Sequence, residues 1–420
     1  MTSADSGTAA TDAWHSEVAA ALAELSGLAG PLLPILHRLM ERLGRIPPEA
    51  IPAIALGLDL SRAEVHGVVT YYADFRSEPL AARVVEICRA EACQAQGGEG
   101  LLARARARAG CGEGELRSAD GRSSVLPVYC LGLCASAPAA RIDGLLHARL
   151  TPERLEGLLD DEAPRRRDLA PHGLRAFGAA AAVAAAAAAA TERPGRAREA
   201  TRVFVALDSA ARAVGADAVV EALVAEAAAR GEKIEIVRTS ARGTFWLEPL
   251  VEIETARGRL GFGPVEIGDV PSLFDAGFLS GGRHARSLGL VDSLPFLARQ
   301  QRRIFARAGI TSPLSVADYQ AQRGLLGLRA ALAASPDAIR QSVLDSGLRG
   351  RGGAAFPAGI KWRTVADAPA KQKYVVCNAD EGDSGTFADR MVLEGDPYLL
   401  IEGMAIAAIA VGATKGFVYV

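Results

Sequence analysis

The chain has 420 residues, half of them hydrophobic and 23% charged, with a formal net charge of -2. That length predicts roughly two to four domains, and near-neutral charge with 5% aromatic residues argues against a dedicated nucleic-acid binder or a base-stacking platform. No apolar run reaches the roughly 18–20 residues that cross a bilayer, and Met1–Ser6 lacks the basic-then-apolar pattern of a secretory signal. A cytoplasmic protein without direct membrane insertion is therefore expected, its six cysteines being metal ligands, nucleophiles or buried thiols before they are disulfides.

The overall pattern is α/β. Residues 1–14 are small and polar and read as disordered. Over 15–79, Leu32, Leu33, Ile35, Leu36, Leu39 and Met40 recur at helical spacing, Pro47-Pro48 interrupts, and Ser61-Arg62-Ala63-Glu64 forms a capping box, so a helical bundle is predicted. Residues 80–160 mix strand-like runs, Val84–Cys88 and Val125–Cys130, with a helix over Gly100–Ala109. A hairpin turning at Asp143-Gly144 and a helix with Pro152 at its first position complete a compact α/β unit. Residues 161–200 read as a linker, its alanine run Ala179–Ala190 too small-sided to pack or to anchor in a membrane. A second, cysteine-free α/β unit is expected over 201–290, with strands at Val203–Leu207 and Ile234–Val237, a helix over Ala216–Arg230, and a hairpin turning at Arg257-Gly258. Residues 291–420 are predicted to hold helical segments, a glycine-rich loop near 347–359, a buried strand Tyr374–Cys377 and a helix from about Pro397 to Val411.

Two constellations carry chemistry. Cys88 and Cys93 form one pair and Cys130 and Cys134 another, each directly after a strand-like run, so each pair can close over an ion or cluster from a loop. Four thiolates hold a two-iron cluster. Structural zinc also takes four cysteines but favours tighter pairs, and unligated buried thiols are the bland alternative.

Cys88-Arg89-Ala90-Glu91-Ala92-Cys93-Gln94, with Cys130-Leu131-Gly132-Leu133-Cys134 followed by Ala137-Pro138, resembles the thioredoxin-like [2Fe–2S] subunit of respiratory complex I. Related subunits occur in NAD-dependent formate dehydrogenases and NAD-reducing hydrogenases, and Gly67–Tyr72 resembles that family's helical N-terminal segment. The resemblance covers about residues 30–160 and implies that Cys88, Cys93, Cys130 and Cys134 are the metal ligands, with Cys111 a spare thiol.

The second constellation is Ser346–Pro357, a loop stripped of side chains and flanked by arginines that suit a phosphate, followed by Asp380-Glu381-Gly382-Asp383 directly after a strand. Carboxylates at a strand's C-terminal edge sit where α/β folds bind ligands. Each feature alone is a weak signal, with an ordinary surface turn as the bland alternative. Lys361 and Trp362 either add a charge and an aromatic face or cover a core.

Together these motifs resemble the FMN- and NADH-binding subunit of complex I over roughly 200–420. The resemblance implies FMN held by Gly350, Arg351, Gly352, Gly353, Lys361, Asn378, Asp380 and Glu381, with Phe356 and Asp383 toward NAD(H), and a second thioredoxin-like unit at 201–290. Respiratory members carry Glu-Pro where this chain has Asp383-Ser384. The segments Asp383–Arg390 and Gly243–Glu252 are instead similar to the β subunit of soluble molybdenum formate dehydrogenases. The family continues past the residue matching Val420 into a domain with a [4Fe–4S] cluster whose ligands are not in this chain, and a C-terminally truncated fusion is expected. Cys377 is expected to be a buried strand residue. The implied function is the diaphorase module of a multi-subunit dehydrogenase, partnered by a molybdenum/iron–sulfur catalytic subunit. The alternative is an electron-transfer or assembly protein holding only the [2Fe–2S] cluster. No side chain need act as a general base, because the redox chemistry belongs to the cofactors.

Overall fold

The computed structural model describes residues 8–28, 30–160, 200–351 and 354–420. The alanine-rich linker and two loop glycines, Gly352 and Gly353, lie outside the described residues. Helix α1 (Thr8–Leu25) begins inside the stretch expected to be disordered. It joins α2 (Leu32–Leu43), α3 (Ala50–Leu58) and α4 (Arg62–Tyr71) in a bundle whose core includes Val18, Ile35, Leu36, Leu39, Ile54 and Val65. The capping box starts α4 as expected: the Glu64 N–H donates to Ser61 Oγ at 3.2 Å and the Ser61 N–H to Glu64 Oε2 at 2.8 Å.

A four-stranded sheet in the order β2-β1-β3-β4 follows. Its strands are β1 (Arg83–Cys88), β2 (Ser123–Val128), β3 (Ala140–Ile142) and β4 (Leu145–His147). Strands β1 and β2 are parallel, while β3 and β4 form the hairpin expected at Asp143-Gly144. Helices α5 (Glu91–Ala95), α6 (Gly98–Ala109) and α7 (Pro152–Asp160) complete the unit.

The second unit repeats this plan. Strands β5 (Thr201–Ala206), β6 (Ile234–Thr239), β7 (Val251–Thr255) and β8 (Gly258–Phe262) stand in the order β6-β5-β7-β8, extended by β9 (Ser287–Leu290). Helices α8 (Ser209–Ala213) and α9 (Ala216–Arg230) take the places of α5 and α6. Pairing fixes the correspondence. Cys88 lies opposite Val128 in the first unit as Ala206 lies opposite Thr239 in the second, and Val85–Ile142 matches Val203–Ile253. Both units place a left-handed glycine in the loop after the second strand, Gly132 at φ 70° and Gly243 at φ 82°, then one 3-10 turn and a cis proline, Pro138 and Pro249. On this register Ala206, Ala211, Ala241 and Phe245 occupy the positions of Cys88, Cys93, Cys130 and Cys134.

The two units meet at these loops and share one apolar core that contains Cys88, Cys93, Leu133 and Ala148 beside Val205, Ala211, Phe245 and Val251. The Ala148 N–H donates to Ala213 O at 3.0 Å. Arg149 of the first unit donates to Phe245 O at 2.7 Å and to Glu248 O at 2.8 Å. In the second unit a buried bidentate pair, Arg242 to Glu252 at 2.7 and 2.9 Å, fastens the loop to β7.

Helix α10 (Val270–Asp275) packs into the second unit's core, and the last region begins with short helices: α11 (Pro295–Ala298), α12 (Val316–Ala321), α13 (Leu326–Leu332), α14 (Pro336–Asp345) and α15 (Ala358–Asp367). Strand β10 (Tyr374–Asn378), helices α16 (Ala388–Gly395) and α17 (Pro397–Val411), and strand β11 (Lys415–Tyr419) follow. Trp362 packs with Val365 against Ile339, Ala410 and Val411, so it covers a core. Glu402 of α17 accepts from the Tyr319 hydroxyl at 2.5 Å and from the Leu325 and Leu328 N–H groups at 2.8 and 2.9 Å, which stops α12–α13 against α17. Strands β10 and β11 pair in parallel. The expectation of a buried strand needs correction: Tyr374 is 45% and Val376 61% exposed, and Cys377 is half-buried. Among the described residues this is a two-stranded sheet packed on α17, so alternate apolar side chains face outward.

Candidate redox site

The four candidate ligands come together at the C-terminal ends of β1 and β2. Cys88 ends β1 and Cys93 sits in α5, both buried; Cys130 and Cys134, half-buried, flank the loop after β2. Cys130 adopts a left-handed φ of 68°, and with Gly132 at 70° it curls the loop so that the Cys130 and Cys134 sulfurs lie 3.5 Å apart. Two thiolates on one tetrahedral metal at about 2.3 Å stand about 3.8 Å apart, so this pair is close to metal-bound spacing.

Backbone N–H groups surround the sulfurs. The Gly132 N–H reaches Cys130 Sγ at 3.4 Å. N–H groups of Ala90, Leu131 and Cys130 point at Cys88, that of Ala139 at Cys93 and that of Gly385 at Cys134. The Cys93 thiol donating to Cys88 brings Cys88 down to about 5, while Cys93, as donor and buried neighbour, goes up. Burial and then Cys130 push Cys134 up. A nest that stabilises sulfur anions is what a thiolate-bound cluster requires. Four thiols gathered at one end of the sheet with backbone N–H donors around them are a donor set that suits an iron–sulfur group. Cys111, buried, donates toward Ser123 O at 3.7 Å.

The nucleotide candidates form an open ledge. Arg351, Phe356, Lys361, Asn378, Asp380 and Asp383 are exposed. The Gly350 N–H donates to Phe356 O at 2.9 Å and closes the loop at the start of α15. Glu381 is committed to the protein: its carboxylate accepts from the N–H groups of Asp389 at 2.7 Å and Arg390 at 3.2 Å and so caps the first turn of α16.

Sequence reasoning missed the segment that joins the two constellations. Ser384 hydrogen-bonds Glu91, which lies between Cys88 and Cys93, and Arg390 donates to Gly132 O, between Cys130 and Cys134. Glu394 accepts from the N–H of Ser209 at 2.8 Å, and Phe387 packs edge-on against Phe245 at 5.3 Å. Two shallow depressions, with no room for a ligand, lie along this seam among the described residues, both lined by Arg390 and Phe245 and neither by a residue of the glycine loop. In sequence the 383–390 segment is legible as Asp383 toward NAD(H) and as a likeness to a formate dehydrogenase β subunit; no local pattern reveals that a short helix will dock there.

Residues 18–163 match the family described as thioredoxin-like [2Fe-2S] ferredoxin, and residues 343–420 match the Nuo51 FMN-binding domain. The NADP-reducing hydrogenase subunit HndC of Solidesulfovibrio fructosivorans is 52% identical over 123 residues, 29% of this chain and 25% of that protein. An NADH-quinone oxidoreductase subunit of Rhizobium meliloti is 52% identical over 103 residues, 24% of each. The alpha subunit of the NAD-reducing hydrogenase HoxS of Cupriavidus necator is 54% identical over 84 residues, 20% of this chain and 14% of that protein. The aligned part thus spans about a quarter or less of these curated relatives. An NAD+-reducing [NiFe]-hydrogenase in the H2-reduced state shares the fold, with a TM-score of 0.50 and 20% identity over 93% of this chain and 45% of that one. Among the described residues no helix is long and apolar enough to cross a membrane. The chain is a mixed α/β protein that joins a thioredoxin-like [2Fe–2S] ferredoxin region, residues 18–163, to an FMN-binding Nuo51 region, residues 343–420.

Proposed function

We propose that the chain is an NAD(H)-linked electron-transfer module of a larger dehydrogenase, exchanging electrons between a flavin nucleotide and a [2Fe–2S] cluster. One observation supports this reading: the segment that follows the acidic turn, Ser384–Arg390, contacts both cysteine loops. Cys88, Cys93, Cys130 and Cys134 hold the cluster. Arg351 and Lys361 offer cations for a phosphate, and Asn378, Asp380 and Asp383 offer polar groups at the C-terminal end of β10, the edge where parallel strands bind nucleotides. FMN, when bound, supplies the step between two-electron hydride chemistry and one-electron cluster chemistry. The protein's part is to hold the ends of that relay adjacent and to bury the sulfurs.

A formate dehydrogenase with a molybdenum-containing partner is the finer reading. Its support is the likeness of Asp383–Arg390 and Gly243–Glu252 to that family's β subunit; the curated relatives named above are hydrogenase and quinone-oxidoreductase subunits. The exposure of the nucleotide ledge favours a second reading in which only the cluster is held. Incubating the purified chain with FMN, desalting, and adding NADH separates them. Retained flavin whose absorbance bleaches together with that of the cluster is expected. An iron-loaded chain that retains no flavin would overturn the diaphorase reading and leave a one-electron carrier.

A further inference from the structure

The segment 384–394 lies astride the two structural copies and touches equivalent positions in each. Ser384 meets Glu91, while Glu394 meets Ser209, the residue matching Glu91 in the second copy. Arg390 meets Gly132, and a Cβ at its counterpart Gly243 would lie 3.4 Å from Met391 Cε. The Gly385 N–H meets Cys134, and Phe387 meets its counterpart Phe245. Only one side of this seat carries sulfur, and on that side the strap delivers a cation and hydrogen-bond donors.

Arg390 is half-buried and anchored at both ends. Its own N–H is held by Glu381, and its guanidinium lies on Gly132 O so closely that a Cβ on Gly132 would collide with it. Gly132 in turn donates its N–H to Cys130 Sγ at 3.4 Å. A reduced cluster carries one more negative charge than an oxidised one. Donors and cations beside its sulfurs therefore favour reduction, and partial burial weakens solvent screening of that charge.

We propose that Arg390, contributed by the nucleotide half of the chain, is a positioning residue for the cluster: it fixes the Cys130–Cys134 loop and raises the cluster's reduction potential. This rests on the cluster reading above. The couple is a one-electron one: the oxidised cluster accepts an electron from a dithionite-poised mediator, with no bond made or broken. Potentiometric titration followed by EPR compares the wild-type chain with Arg390→Ala and Arg390→Lys, each assayed for iron and sulfide. At a fixed ambient potential the alanine variant is expected to show at least tenfold less reduced cluster relative to oxidised, a fall of about 59 mV. Lysine, keeping the charge, recovers at least half of it. Should the alanine variant not fold, Arg390→Gln, which keeps a donor but no charge, is expected to fall at least threefold. An iron-loaded alanine variant, or glutamine variant in its place, within twofold of wild type overturns the proposal. So does a lysine variant that falls as far as alanine, which would trace the loss to packing. A wild-type chain without iron and sulfide defeats the cluster reading itself, a result the variant comparison does not mimic.

Discussion

The two thioredoxin-like units share strand order, loop curl and cis proline, yet they fasten the same loop by different means. In the first, the 129–136 loop carries two thiols of an implied metal site, and its neighbouring polar pair, Arg141 on buried Glu86 at 2.5 and 2.7 Å, lies back on the sheet. In the second, Phe204 stands in register with Glu86, Glu252 with Arg141, and Arg242 replaces Leu131. The loop is then tied down by a buried ion pair and by Phe245 in the core. One scaffold thus offers a pocket for sulfur chemistry in one copy and a solid wall in the other, and the wall backs the pocket. What decides is the residue at four positions, cysteine against Ala206, Ala211, Ala241 and Phe245.

The comparison can be broken most sharply in the second copy. Removing one partner of a buried ion pair strands the other charge, so Glu252→Ala is expected to cost about 3–5 kcal/mol while iron content stays that of wild type; calorimetry and an iron assay read both. If the protein unfolds no more readily, the pair is not what holds that loop. Glu248, beside the second copy's cis proline, is fully buried with Oε1 unpartnered. Burial, and then the Asp208 carboxylate, push it up to about 8. A carboxyl raised on folding binds its proton more tightly in the native state, so native stability is lost as pH rises from about 4.5 to 8. Glu248→Gln removes this loss: matched to wild type near pH 4.5, it should be the more stable by on the order of 4 kcal/mol above pH 8. Denaturation curves that run parallel at both pH values would contradict it.

A smaller effect sharpens the seam. Arg149 bridges the first copy to the carbonyls of Phe245 and Glu248. Arg149→Ala should cost about 2 kcal/mol in thermal unfolding, since two buried carbonyls lose charged donors. Smaller still, on the proposed ligand set, removing metal with a chelator should speed amide exchange at 130–136 tenfold or more and leave 241–247 unchanged, because only the first loop carries the proposed ligands. Equal loosening of both loops would show that they form one cooperative unit.

Much of this was readable in residues. The Asp143-Gly144 hairpin and the Ser61–Glu64 box each have a short-range chemical reason, and each appears where it was expected. The duplication was only half readable, because the positions matching the cysteines hold alanine and phenylalanine, and strand register alone identifies them. Strand β9 escaped notice because it is four residues long and contains Gly289 at φ 81°. The apolar run at β10 read as buried, yet burial depends on what covers a strand, which its own residues do not specify. Glu381 is legible as part of a nucleotide motif and Arg390 only within the likeness to a formate dehydrogenase β subunit; their helix-capping and loop-holding contacts are set by where α16 docks, a tertiary fact.

The most direct measurement is the iron and acid-labile sulfide content of the purified chain, taken beside Cys130→Ser. About two irons and two sulfides per chain, with the visible chromophore lost in the variant while any bound flavin stays, is the result predicted for a cluster seated in the first copy alone. Stoichiometric zinc without sulfide, or iron and chromophore that survive Cys130→Ser, would contradict it.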